Sequence, residues 1–259
     1  MARDKTLVIG NWKMNLGVHE ASLYLHRLST TVKTHRDVEI VLAPTMLTLQ
    51  TLSLQVNYRQ FKLAAQNFYW RDHGAFTGEV SATQLRGIVT YALVGHSERR
   101  HIFHESDKDT RAKVQAAIRN GITPVLCVGE TASERADGET QDVLHDQLIG
   151  GLANVTSEEL GDIVIAYEPV WAIGTGQNAT PGDVTSAVRS IRNQLKHLYG
   201  SKAADEVRVL YGGSVTADSA AEYVGLSEID GLLVGGASLD EKVFSNIVEK
   251  AYAAGKKDK

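Results

Sequence analysis

A chain of 259 residues with 43% hydrophobic and 22% charged side chains has the composition of an ordinary globular protein, which excludes a disordered, collagen-like or coiled-coil chain. Lys and Arg number 27 against 31 Asp and Glu, and the net charge of −4 gives no electrostatic case for nucleic acid or an anionic membrane as partner. No apolar run reaches the roughly 20 residues of a membrane-spanning helix. The single cysteine, Cys127, and the lack of a charged-then-apolar leader after Met1 lead to the expectation of a reducing, cytoplasmic setting.

Short β-branched runs occur at residues 6–9, 38–43, 61–66, 90–94, 121–128, 163–167, 207–211 and 231–234. They are apolar at successive rather than alternate positions, the pattern of strands buried on both faces. Between them, residues 20–34, 107–120, 140–152, 181–199 and 240–254 carry apolar side chains at helical spacing, one stripe each. Thr180-Pro181 with Asp183 marks one helix start, and Asn120-Gly121 marks the end of an earlier helix. About eight βα units fit a closed (β/α)8 barrel of eight parallel strands, with an open doubly wound sheet as the alternative. With four prolines and no Ser/Pro/Gly-rich linker, residues 1–259 are expected to form one domain, ending in a solvated Lys-rich tail from residue 255.

In parallel α/β folds the loops after the strands form the site. Gly10-Asn11-Trp12-Lys13 follows the first strand, Gly95-His96-Ser97-Glu98 the fourth and Glu168-Pro169-Val170-Trp171 the sixth. Gly212-Gly213-Ser214 follows the seventh and Gly235-Gly236 the eighth, where paired glycines let backbone N–H groups approach an anion. Taken singly, Lys13 reads as a surface charge, His96 as a structural histidine, Glu168 as a strand end and the glycine pairs as turns. Brought to a shared rim, a carboxylate, an imidazole and an ammonium are costly to desolvate, and chemistry is a good reason to assemble them. After Glu168, Pro169 and Trp171 stiffen an entry, and Ala172-Ile173-Gly174-Thr175-Gly176 can absorb backbone rotation. A hinged lid and a rigid surface loop both fit that composition.

Five stretches occur together and in order: Gly10-Asn11-Trp12-Lys13-Met14-Asn15, Val94-Gly95-His96-Ser97-Glu98-Arg99-Arg100, AYEPVWAIGTG at 166–176, YGGSV at 211–215 and VGGAS at 234–238. They resemble the triosephosphate isomerase family, and jointly they are far more specific than an isolated Gly-rich match. The resemblance implies a barrel that interconverts dihydroxyacetone phosphate and D-glyceraldehyde 3-phosphate through an enediolate, in glycolysis and gluconeogenesis, without cofactor or metal. It implies Glu168 as the base, His96 as a neutral electrophile at a short helix's positive end, and Lys13 as fixed positive charge with Asn11 as a donor. Phosphate would be held by the N–H groups of Gly174, Ser214, Gly235 and Gly236 and by the Ser214 hydroxyl, with Ser97 and Glu98 organising the catalytic groups. Val170, Trp171, Ala172, Ile173, Gly174, Thr175 and Gly176 would form the lid, and Ile173 and Leu233 would press near the base.

The segment from Asn67 to Glu79 carries Phe68, Tyr69, Trp70 and Phe76, many large aromatics for a solvated loop. Local packing is one reading; the family reading is a loop that docks on a second subunit, giving a homodimer with Thr77 near the partner's site. Cys127 reads as a buried filler near Glu168. Two rival functions stand beside the resemblance. One is another phosphate-binding barrel enzyme, such as a metal-using sugar-phosphate epimerase, and the other is a non-enzymatic binding protein on the same fold.

Overall fold

Consecutive strands pair in parallel, each with its neighbour in sequence, until the last returns to the first. In the computed structural model, which describes residues 5–174 and 177–255, the strands are β1 (Thr6–Asn11), β2 (Val38–Ala43), β3 (Phe61–Ala65), β4 (Tyr91–Val94), β5 (Thr123–Val128), β6 (Val164–Tyr167), β7 (Arg208–Tyr211) and β8 (Gly231–Val234). They close as β1-β2-β3-β4-β5-β6-β7-β8, with β8 registered on β1 through Val8↔Leu232 and Ile9↔Leu233. The expected (β/α)8 barrel is therefore the fold, and the open sheet is not.

Continuous apolarity has a simple cause here. Side chains alternate in direction along a strand, and both directions are buried. Leu7, Ile9, Val41, Leu93, Val125, Cys127, Ala166 and Leu233 point into the barrel and form one cluster. Val8, Leu42, Val94, Leu126, Ile165 and Val234 point outward and pack with the helices in the larger cluster. At the amino end of the strands a polar triad fills the barrel: Tyr91 Oη donates to Glu39 Oε2 at 2.8 Å, and Arg208 donates to both, at 2.8 Å to Tyr91 Oη and 3.1 Å to Glu39 Oε2. Chemistry is thereby left to the carboxyl end.

The helices begin where short-range bonds favour it. Pro181–Tyr199 starts at Thr180, whose Oγ1 accepts the Asp183 N–H at 3.2 Å while Asp183 Oδ2 accepts the Thr180 N–H at 2.9 Å. Helix Asp107–Arg119 ends on Asn120, as expected. Several strand bounds differ from the sequence reading. β1 runs on to Asn11 because its ladder to β2 continues through Gly10↔Leu42 and Asn11↔Ala43. β3 stops before Gln66, and β5 starts at Thr123. Helices Met46–Ser53, Ala82–Leu85, Ala132–Ala136 and Ser201–Glu206 have no counterpart in the sequence reading, being too short for an apolar stripe to repeat, whereas Ser97–His101 is the short helix expected after His96.

Among the four aromatics of the 67–79 loop, Phe68 is buried in the outer core, and only Phe76 counts among the exposed large hydrophobics, at 39%. Of the two readings of this loop, local packing accounts for Phe68. No helix among the described residues is long and apolar enough to cross a membrane.

Candidate active site

The carboxyl end of β1 sets the first group. Asn11 is buried, and its Oδ1 accepts the Lys13 backbone N–H at 3.0 Å. Gln66 Nε2 donates to the Lys13 carbonyl and to the Ala43 carbonyl, both at 2.8 Å. These bonds hold Lys13 at φ 53°, a left-handed conformation that is uncommon for a residue with a Cβ. The result is an ammonium 2.6 Å from Glu98 Oε1.

After β4 the chain enters helix Ser97–His101 with His96 as its N-cap. His96 Nδ1 accepts the Glu98 backbone N–H at 3.2 Å, which makes Nε2 the proton-bearing nitrogen of a neutral ring. Behind it, buried Glu105 accepts the Gly95 N–H at 3.2 Å and Arg99 Nε at 2.6 Å, and it pairs with the Lys113 ammonium, which also donates to Asn67 Oδ1 at 2.7 Å. Burial alone would raise the Glu105 carboxyl, but the Lys113 and Arg99 cations outweigh it and hold the group below the usual carboxylate range.

Glu168 follows β6 and is 2% exposed. Its Oε2 accepts the Ser97 backbone N–H at 2.9 Å. Its Oε1 lies 3.1 Å from His96 Nε2 but out of line with the N–H, and has no hydrogen-bond partner among the described residues. A buried oxygen left unpaired is expensive for a fold to keep, and reactivity is one of the few reasons to keep it. Two glycines make room for this residue. A Cβ at Gly129 would sit 1.7 Å from the Glu168 carbonyl oxygen, and one at Gly212 would sit 2.9 Å from Glu168 Cγ.

Across from these groups stand Gly212, Gly213 and Ser214 after β7 and Gly235 after β8, with Gly236 opening the 3-10 turn Gly236–Leu239. Ser214 Oγ donates to the Ala172 carbonyl at 2.9 Å. Asn11, Lys13, His96, Glu168, Ser214, Gly235 and Gly236 line one cavity of about 300 Å³, walled in addition by Ile173, Gly174 and Leu233. Ser97 and Glu98 support it through the bonds already described. Val170, Trp171 and Ala172 form a 3-10 turn leading from Glu168; Thr175 and Gly176 lie outside the described residues.

Sequence reasoning missed the bed on which that turn rests. Glu130 is fully buried and accepts Tyr167 Oη at 3.1 and 3.2 Å and Trp171 Nε1 at 2.8 Å. Its burial pushes the carboxyl above the usual range. It stands two residues after β5, as Lys13 does after β1, so the strand-end rule that found Lys13 and Glu168 would have found it too. Gln66, the residue after β3, carries the same strand-end signal, although its partners, the Lys13 and Ala43 carbonyls, are distant in sequence. Among the described residues no group of three or more His, Cys, Asp or Glu side chains is placed to hold a metal ion.

Fold and site together define a (β/α)8-barrel enzyme of the acid–base kind, with its reactive groups facing a glycine-lined bay suited to an anion. The sequence profile of triosephosphate isomerase matches residues 6–251. The triosephosphate isomerase of Caldanaerobacter subterraneus subsp. tengcongensis is 42% identical over 245 residues, covering 94% of this chain and 98% of that protein. The Solibacter usitatus enzyme of the same name is 43% identical with the same coverage, and that of Clostridium perfringens is 41% identical over 243 residues, 93% and 98%. The chain belongs to the triosephosphate isomerase family.

Proposed function

We propose that this chain interconverts dihydroxyacetone phosphate and D-glyceraldehyde 3-phosphate, the isomerisation shared by glycolysis and gluconeogenesis. Glu168 takes a proton from one of two adjacent carbons and returns it to the other, so one carboxyl serves in turn as base and acid. To reach the substrate it gives up its bond from the Ser97 N–H. His96 Nε2–H donates to the carbonyl oxygens as negative charge moves between them, and Lys13 and Asn11 stabilise that charge. One carbon gives up a proton to Glu168 and its neighbour receives one from it, while the hydroxyl hydrogen moves from one oxygen to the other, so the hydrogens balance without a cofactor.

The backbone N–H groups of Gly174, Ser214, Gly235 and Gly236 bind the phosphate, and the Ser214 hydroxyl joins them by leaving the Ala172 carbonyl. Closing of the segment from Val170 to Gly176 excludes water and strengthens every charge interaction inside. The observation that carries this reading is that a carboxylate, an imidazole and an ammonium share one cavity of about 300 Å³ with the glycine-rich turns after β7 and β8. The test is a coupled assay with glyceraldehyde 3-phosphate and competition by 2-phosphoglycolate, whose carboxylate and phosphate imitate the enediolate's charges. Turnover with competitive inhibition supports the reading; no turnover overturns it.

A second copy of the chain is the proposed partner. Met14 (94%), Leu47 (78%), Phe76 (39%), Ile102 (64%) and Phe103 (63%) are exposed on the connections that follow β1 to β4, neighbours round the barrel. That much apolar surface in one sector favours burial against another subunit. Lys13 then depends on that contact for part of its rigidity, since Met14 adjoins it. Sedimentation at micromolar concentration tests this, with a dimer expected and a monomer contradicting it. A reducing cytoplasm suits the unpaired, buried Cys127.

A further inference from the structure

Trp171 is the middle residue of the turn that leads away from Glu168, and it is fastened from two sides. Its indole N–H donates to Glu130 Oε1 at 2.8 Å. The Arg135 guanidinium lies over its ring, 3.9 Å from the centroid. The same guanidinium donates from Nη2 to Asp183 Oδ1 at 2.9 Å. Asp183 belongs to the first turn of helix Pro181–Tyr199, where Oδ2 accepts the Thr180 N–H at 2.9 Å and the Thr180 hydroxyl at 2.7 Å. One cation on the β5 connection therefore touches a residue of the lid's first turn and the carboxylate that caps the helix after it.

We propose that Arg135 is a positioning residue for the isomerase: it ties Trp171, in the turn that opens the lid, to the first turn of helix Pro181–Tyr199, and so sets the equilibrium against closing. The inference rests on the reading that the segment after Trp171 closes over a bound triose phosphate. Moving Trp171 inward takes its ring off the guanidinium, and the strength of that stack adds to the cost of closure. The Asp183 carboxylate keeps the guanidinium over the ring; an exposed ion pair of this sort contributes little to stability by itself but restricts where the cation can go.

The test is calorimetric titration of 2-phosphoglycolate into the full-length protein, Arg135→Gln, Arg135→Lys and Asp183→Asn, with circular dichroism recorded for each. Arg135→Gln should bind the ligand about two- to fivefold more tightly, the equivalent of one exposed cation–π contact removed from the competing state. Arg135→Lys, which retains a cation, should fall between that variant and the unmodified protein. Asp183→Asn frees the guanidinium without removing it and should tighten binding by a smaller factor, a check independent of how the Arg135 variants fold. A purely structural role for Arg135 would weaken binding instead. Unchanged or weaker affinity in both Arg135→Gln and Asp183→Asn overturns this inference alone. Failure of the unmodified protein to bind overturns the proposed function and this inference with it.

Discussion

Glu168 Oε2 accepts the Ser97 backbone N–H at 2.9 Å, which parks the carboxylate against the first turn of the helix that His96 caps. Its other oxygen is buried 3.1 Å from His96 Nε2, without a hydrogen-bond partner among the described residues. The residue is held ready rather than spent, and its length decides whether it reaches the substrate. Glu168→Asp withdraws the carboxylate by one methylene, and a displacement of about 1 Å at a reacting centre costs about 10²-fold in rate. A kcat reduced by that order at unchanged circular dichroism is expected; a near-normal kcat would show that Glu168 is not the base.

The imidazole of His96 has its protonation pattern set by the chain. Because Nδ1 accepts the Glu98 N–H at 3.2 Å, the ring is a neutral Nε2–H tautomer. Nitrogen-15 NMR of the histidine side chains at neutral pH should find the His96 Nδ1 resonance at the unprotonated position and Nε2 at the protonated one. A doubly protonated ring would remove the neutral electrophile from the mechanism.

Gly212 protects the placement of the base. A Cβ there would lie 2.9 Å from Glu168 Cγ and 3.3 Å from the Tyr167 carbonyl oxygen, so Gly212→Ala pushes on the Glu168 side chain more than on the core. We expect kcat to fall by at least about tenfold, a share of the loss that misplacement brings, with the melting temperature changed by only a few degrees. Equal rates for Gly212→Ala and the unmodified protein would mean that Glu168 tolerates a shift the mechanism forbids.

Much of this site could be read from the sequence, for a physical reason. Asn11, Lys13, His96 and Glu168 each end or follow a strand, and strands buried on both faces announce themselves as unbroken apolar runs. Helix Pro181–Tyr199 was found to the residue because Thr180, Pro181 and Asp183 encode its start locally. Arg135 was not, since its meaning lies in Trp171 and Asp183, which only the closed barrel brings near it. Gln66 read as the last residue of a strand, whereas its side chain turns back to the Lys13 and Ala43 carbonyls. Phe68 read as part of a docking loop because its neighbours are aromatic, and direction of burial is not written in composition.

The pair formed by Glu105 and Lys113 governs acid stability. A carboxyl whose folded value is depressed adds stability above the ordinary glutamate range, and the protein loses it as pH falls through the folded value. Glu105→Gln removes that contribution and leaves the Lys113 ammonium buried without its anion, a change of about 3–5 kcal/mol near neutral pH. The melting-temperature gap between the two proteins should therefore narrow on acidification below the glutamate range. A gap independent of pH would show that the ion pair does not stabilise the loop carrying His96.

Solvent hydrogen exchange follows the proton itself. With dihydroxyacetone phosphate in D2O, the unmodified protein should form glyceraldehyde 3-phosphate and place deuterium on the carbon next to the carbonyl, as proton NMR would record, while Glu168→Gln should do neither at a comparable rate. Isomerisation at full rate by Glu168→Gln, or no deuterium and no aldose from the unmodified protein, would contradict the account.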